Sequence, residues 1–319
     1  MKAVLVRSFG GPEVLRLEET PRPEPGPGQV LLRVFAAGVN PVETYIRSGS
    51  YQHRPHLPYT PGTDAAGQVE AVGSGIADLS PGDRVFTSRT LTGSYAEYTL
   101  AQRDCVHLLP KRLSYAQGAA VGVPYAAAYR AIFQRGRARP GETVLVHGAS
   151  GGVGVPALQL ARSGGLCAIG SAGSERGLAL VREQGALAVD HREPAHLRRV
   201  QEITHGRGPD IILEMLANVN LSSDLDAVAA GGRIVVVGSR GRIEIDPRAV
   251  MSRDAAIYGM SLWNATPADL ASAYESIIDG LRDGVLSPVV GRELPLSEAA
   301  LAHKAVMEPG SYAKIVLLP

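Results

Sequence analysis

With 319 residues, 45% of them hydrophobic, the chain carries enough apolar material for one large core or two ordinary ones, and two domains are expected. A formal net charge of +1 gives no general field for nucleic acid or an anionic membrane, and lysine occurs only at Lys2, Lys111, Lys304 and Lys314, so the arginine-rich usage reads as genome composition. Cys105 and Cys167 are too few for a disulfide framework or a thiolate zinc site, and no apolar run approaches the roughly 18 residues of a membrane helix, so a soluble cytoplasmic protein is expected.

From Met1 to about Ala120, short β-like runs (KAVLVR, QVLLRVFAAG, GQVEAVG, DRVF, SYAEYTL) are broken by proline and glycine clusters such as PRPEPGPG. This part reads as a compact, mostly β domain. From Pro124 the rhythm changes to apolar runs at TVLVH, LCAIGS, LAVD, DIILEM, RIVVVG and AIYGMSL, the first five separated by segments of helical periodicity. Six strands linked mainly by helices predict an α/β, doubly wound parallel sheet of the Rossmann type. TPADLASAYESIIDGLRDG then reads as a long helix with Thr266 at its N-cap and Pro267 in its first position. The remaining segment gives strand, helix and strand, which would complete the first domain. The expected division is therefore residues 1–121, then a dinucleotide-binding domain over 122–265, then a completion over 266–319.

The stretch VLVHGASGGVG places Gly148, Gly151 and Gly154 at the first strand-to-helix turn of the parallel sheet. Glycine is wanted there because the turn is tight, a pyrophosphate must approach the backbone, and helix and strand must pack closely; the helix N-terminus then faces the phosphates. Which dinucleotide binds depends on the end of the next strand, where NAD-selective sites usually hold an Asp or Glu. Here AIGSAGSERG ends at Gly170 and Ser171 with no carboxylate. Ser171, Gly173 and Ser174 are candidates to bond a 2′-phosphate, Arg176 or Arg192 to neutralise it, and His191 stands nearby; these features favour NADPH, against the contrary presence of Glu175.

Making an alkoxide by hydride transfer needs a zinc ion or a positioned acid. The chain has no cysteine cluster and no Tyr-x-x-x-Lys spacing. An acceptor whose reduced form is already a stabilised anion, a quinone or an enone, can take hydride and then a proton from water, so a metal-free reductase of conjugated carbonyls is expected.

FGGPEVL, AAGVNPVETYIRSGSY, PYTPGTDAAG, PGDRVF, GSYAEY, HGASGGVG, EMLANVNL and VVGSRG together resemble the zeta-crystallin-like, zinc-free quinone oxidoreductases of the medium-chain dehydrogenase/reductase superfamily. The resemblance runs from Met1 to the final strand. It implies a GroES-like catalytic domain, a Rossmann domain, NADPH, a cleft between them and a homodimer or homotetramer. Zinc-dependent relatives carry a cysteine where Asn40 stands here and a Gly-His-Glu run where Gly62, Thr63 and Asp64 stand, so both catalytic ligands are missing. By motif, the resemblance places Tyr45 near the nicotinamide and Ser150, Gly151, Gly152 and Val153 under the pyrophosphate, with Gly173 and His191 by the adenosine phosphate. Asn220, Val237, Gly238, Ser239, Arg240, Met260, Ser261 and Leu262 would border ribose and nicotinamide. Tyr45 and Asn40 are the candidate catalytic positions, with Tyr51, Tyr59 and Thr63 weaker; apart from the resemblance, Tyr45 reads as a helix aromatic in a core, and Asp64 as a turn cap. Two other readings stand: an enoyl reductase acting on alkenals or acyl thioesters, and an RNA-binding or structural role known among such relatives. Against the latter, there is no RNA-recognition motif, no clustered basic face and only 5% aromatic residues.

Overall fold

The computed structural model describes residues 1–310 and 312–319. Its contacts form two compact units, Met1–Val123 with Pro288–Pro319, and Pro124–Ser287.

In the first unit, β1 (Lys2–Val6) and β2 (Leu15–Glu19) form an antiparallel pair. β3 (Gln29–Val39), eleven residues long, is the spine of a separate seven-stranded sheet. After α1 (Pro41–Ser48) come β4 (Asp64–Val72), β5 (Arg84–Thr87), β6 (Tyr98–Gln102), β7 (Val106–Leu108) and the short α2 (Tyr115–Gly118). β3 pairs antiparallel with both β4 and β6, and β5 joins β4 to β7. Two of these strands are not visible as apolar runs: β2 is LRLEE, exposed at three of its five residues, and β7 has only three residues.

The chain enters the second unit on α3 (Gly122–Tyr129), which widens into a π turn at Arg130–Arg135. There follow β8 (Thr143–Val146), α4 (Gly154–Ser163), β9 (Cys167–Ala172), α5 (Glu175–Glu183), β10 (Leu187–Asp190), α6 (His196–Ile203), β11 (Ile211–Glu214), α7 (Ala217–Ala227), β12 (Arg233–Val236), α8 (Pro247–Met251) and β13 (Ala256–Gly259). All six strands are parallel, in the order β10-β9-β8-β11-β12-β13. β8 and β11 are buried at every residue because helices cover both faces, which is why they read as unbroken apolar runs. They are also neighbours across the point where strand order reverses, the position at which sheets of this kind place a ligand past the carboxyl ends of their strands.

α9 (Pro267–Asp283) has the expected cap: Thr266 Oγ1 accepts the Asp269 N–H at 3.1 Å, and Asp269 Oδ2 accepts the Thr266 N–H at 3.0 Å. Its placement corrects the expected division. The helix belongs to the second unit, which runs to Ser287, and the first boundary falls at 123/124. Arg130 in the π turn pairs with Asp269 at 2.9 Å, Gln134 donates to the Asp269 carbonyl at 2.8 Å, and Ala273, Tyr274, Ile277 and Leu281 are buried. Periodicity identified the helix but not the core that takes its apolar face. β14 (Val290–Pro295), α10 (Ala299–Ala305) and β15 (Lys314–Leu318) then complete the first sheet, in the order β14-β15-β3-β4-β5-β7. Among the described residues, no helix is long and apolar enough to cross a membrane.

Thr266→Ala removes one side of this reciprocal cap, and urea unfolding should show a loss of about 1 kcal/mol.

Candidate active site

In a parallel sheet every strand delivers its following residue to one edge. That geometry gathers the expected cofactor residues in the second unit: 150–153 follow β8, 173–176 follow β9, His191 follows β10, Asn220 stands in the first turn of α7 after β11, 237–240 follow β12 and 260–262 follow β13. The turn after β8 is built for close approach. Gly148 has φ +58°, and a Cβ on Gly154 would stand 2.3 Å from the Gly148 carbonyl oxygen and 2.6 Å from the Ala149 Cα. A Cβ on Gly170 would strike Ala149 at 2.7 Å and Val181 at 2.8 Å, so β9 packs against its helices only as glycine. A surface cavity of about 560 Å³, bordered by Thr143, Cys167, Leu187 and His205, adjoins the starts of the strands instead.

The adenosine-phosphate end differs in part from expectation. Ser171 is fully buried, and its Oγ lies 3.2 Å from His147 Nδ1, so it faces the core and does not reach a phosphate. Ser174 is the N-cap of α5, accepting the Gly177 N–H at 3.1 Å. Arg192 is taken up by Asp190, at 2.5 Å, and Glu175, at 3.6 Å; the Arg192 guanidinium holds the Asp190 carboxyl down to about 2. Arg176, the other candidate guanidinium, stands exposed in the first turn of α5. Gly173 makes room for His191, whose Nε2 a Cβ would meet at 2.4 Å.

Below this edge lies a cluster that sequence reasoning did not find. His147, directly after β8, sets Nε2 2.8 Å from Asp224 Oδ1 and 3.6 Å from Glu214 Oε2. His147 is 4% exposed, and Glu214 and Asp224 are fully buried. Glu214 Oε1 accepts the Leu216 N–H and the Asn220 amide, the latter at 3.2 Å, so Asn220 is tied to the core on one side. Asn218, also unforeseen, holds the loop after β12: its Oδ1 accepts the Arg240 N–H at 2.7 Å. A charged residue ending the apolar run DIILE was the available signal for Glu214.

In the first unit, Asn40 precedes α1 and is 4% exposed. Its side-chain amide donates to Asp64 Oδ2 at 2.9 Å and Glu43 Oε1 at 3.3 Å, while its Oδ1 accepts from Lys314 Nζ at 2.6 Å. Asn40 is thus a knot in a buried network rather than a polar group left open to a pocket. Lys314 Nζ also lies 3.0 Å from Asp64 Oδ2, and Asp64 Oδ1 accepts the Val123 N–H at 2.8 Å; Asp64 is fully buried and ion-paired, not a turn cap. Glu43 extends the network, accepting the Asn40 N–H at 2.9 Å, the Thr63 N–H at 3.1 Å and the Tyr95 hydroxyl at 2.7 Å. Burial pushes the Glu43 carboxyl up and the Tyr95 phenol well above its usual range. Tyr59 is pushed up to about 12, mainly by burial. With Glu43, Thr44 and Arg47 turned inward, Tyr45 is left half-buried on another side of α1, so it is not the core aromatic of the plain helical reading.

Residues 26–111 match the GroES-like domain of alcohol dehydrogenases, and residues 152–278 match a family described as zinc-binding dehydrogenase. The chain is thus an oxidoreductase of the medium-chain dehydrogenase/reductase superfamily. A quinone oxidoreductase of Homo sapiens is 49% identical, with 100% of this chain and 98% of that one covered; one of Pseudomonas aeruginosa is 32% identical over 100% and 99%. The chain belongs to the quinone oxidoreductase family. Among solved structures, an Escherichia coli quinone oxidoreductase complexed with NADPH superposes with TM-score 0.90 at 28% identity, and a protein described as an NAD-dependent alcohol dehydrogenase with 0.93 at 31%, both covering 100% of each chain.

The zinc of the matched family's description does not fit the residues present. Asn40 and Asp64 do come together, but an ammonium stands between them and supplies a fixed positive charge. Lys314→Met leaves Asp64 buried without its counter-charge, and chemical unfolding should show a loss of about 3 to 5 kcal/mol. Adding Asp64→Asn should recover part of it.

Proposed function

We propose that the protein reduces quinones, or related conjugated carbonyls, with NADPH and without a metal. The observation that carries this reading is the Lys314–Asp64–Asn40 junction, which fills the place of a catalytic metal with side chains that bond one another. No group there is left to stabilise an isolated alkoxide, whereas a quinone spreads incoming charge over its own ring. Family membership supports the same substrate class and disfavours alcohol oxidation.

NADPH, when bound, supplies the hydride. The bare backbone of 148–154 and the N-terminus of α4 would hold its pyrophosphate. Gly173, Ser174, Arg176 and His191 would take the adenosine phosphate, with the absence of a carboxylate at the end of β9 favouring NADPH over NADH. Asn220, Val237, Gly238, Ser239, Arg240, Met260, Ser261 and Leu262 would border ribose and nicotinamide. Tyr45 orients the acceptor, and Asn40 acts at one remove by fixing the start of α1 on which Tyr45 stands. Holding the acceptor in place then accounts for most of the acceleration. The same reading makes the protein a cytoplasmic homo-oligomer; β13, an edge strand with partly exposed Ile257 and Tyr258, suits association with a second copy.

Purified protein should oxidise NADPH with ortho- or para-quinones, retain activity after chelator treatment and fail to oxidise simple alcohols with NADP⁺; Tyr45→Ala should lower quinone turnover without abolishing it. Turnover of alkenals or enoyl thioesters alone would move the assignment to an enoyl reductase, and alcohol oxidation without quinone turnover would end it. Arg176→Ala should reduce the preference for NADPH over NADH about tenfold, as expected for one charge-assisted hydrogen bond, in side-by-side Michaelis constants.

A further inference from the structure

Glu214 and Asp224 place two carboxyls side by side in the core of the second unit, both fully buried and with an oxygen of each within 4.8 Å of the other's. Each has one committed oxygen: Glu214 Oε1 holds the Leu216 N–H and the Asn220 amide, and Asp224 Oδ1 holds His147. Each also has one buried oxygen without a hydrogen-bond partner, Glu214 Oε2 and Asp224 Oδ2. Two ionised carboxylates cannot stay in such a place uncompensated. No lysine or arginine pairs with either among the described residues. The facing titratable groups are His147 after β8, His196 on α6, with its ring 6.5 Å from that of His147, and His191 after β10. Burial holds His147 below its usual value, which disfavours it as a counter-ion to either carboxyl. One proton shared between Glu214 and Asp224 removes one buried charge.

The place is as telling as the chemistry. β8 and β11 flank the point where strand order reverses, and His147 and Glu214 end those two strands. Glu214 holds both Leu216, at the start of α7, and Asn220 in its first turn. The loop after β12 also depends on this strand end, because the Val237 N–H donates to the Glu214 carbonyl at 2.9 Å and the Ala217 N–H to the Gly238 carbonyl at 3.0 Å.

We propose that Glu214 is a positioning residue for the cofactor: through a proton shared with Asp224, it holds the 216–220 segment in its binding conformation, so that loss of this proton weakens NADPH binding. The inference rests on the cofactor reading above. Burial raises both carboxyls, Glu214 to about 7 and Asp224 to about 6, and their mutual bond favours the proton on Glu214. A carboxyl whose proton is held more tightly in the binding form gives affinity that is fullest at low pH and is lost as pH rises through that window. The phosphates of the dinucleotide, arriving at the same edge, add to the repulsion once the proton has gone.

The test is calorimetric binding of NADPH to the intact protein between pH 5.5 and 8.5, for wild type, Glu214→Gln and Asp224→Asn. Each amide reproduces the protonated arrangement permanently. The dissociation constant of the wild type should rise with pH about tenfold more than that of either variant, one pKa unit of coupling; titration of the 2′-phosphate is common to all three and cancels. The infrared carbonyl absorption of a protonated carboxyl should be present in cofactor-free wild type at low pH, fade over the same window and be missing from Glu214→Gln. Superimposable pH profiles in the three proteins, or no such absorption, overturn the inference. Failure of NADPH to bind any of them at any pH would overturn the cofactor reading instead.

Discussion

The buried pair between Lys314 and Asp64 is the contact on which the first unit depends. An ammonium and a carboxylate removed from water are tolerated only with further hydrogen-bond partners, and here the Asn40 amide bonds both ions, the Val123 N–H bonds the second Asp64 oxygen and Glu43 in turn holds Asn40. Four distant parts of the chain are thereby fixed at one point: the end of β3, the start of β4, the start of α3 and the first residue of β15. The backbone allows it because Gly38 and Gly122 lack side chains; a Cβ on Gly38 would lie 2.8 Å from Lys314 Cε, and one on Gly122 2.4 Å from Asp64 Oδ1. Asn40 and Glu43 also cap the start of α1, so the helix that carries Tyr45 is anchored at this same point.

The second unit solves a different problem. A sheet of parallel strands buried on both faces has no freedom in where it puts function: loops at one edge, over the N-termini of helices. Its polar core cluster sits immediately under that edge. His147, Glu214 and Asp224 lie in the layer beneath the loops after β11 and β12, to which Glu214 is hydrogen-bonded directly.

The architecture was most legible where burial is complete. Apolar runs marked the six strands of the parallel sheet, most clearly the fully buried β8 and β11, and a capping threonine followed by proline marked the start of α9 to the residue. The same completeness of burial hid orientation: a strand apolar on both sides shows no alternation, so Ser171 could be taken for a phosphate ligand when it points inward. α1 was obscure for the opposite reason, since its inward face is Glu43, Thr44 and Arg47 and presents no apolar stripe. The buried networks escaped because their members lie far apart in sequence. Lys314 and Asp64 are separated by 250 residues, and nothing local marks either as a partner. Assigning α9 to a unit failed on the same ground, for its apolar face names no recipient.

The order in which these parts leave a ribosome follows from the connectivity. The second unit is one continuous stretch, Pro124–Ser287, and can close as soon as it emerges. The first unit, though its larger part is synthesised earlier, lacks β14, β15 and the ammonium paired with Asp64 until residues 290–318 have been added. A nascent chain therefore carries a finished dinucleotide fold beside an open-edged sheet with an unmatched acid in its interior. Chains interrupted before Lys314 would keep that defect, so closure of the first sheet waits on β15.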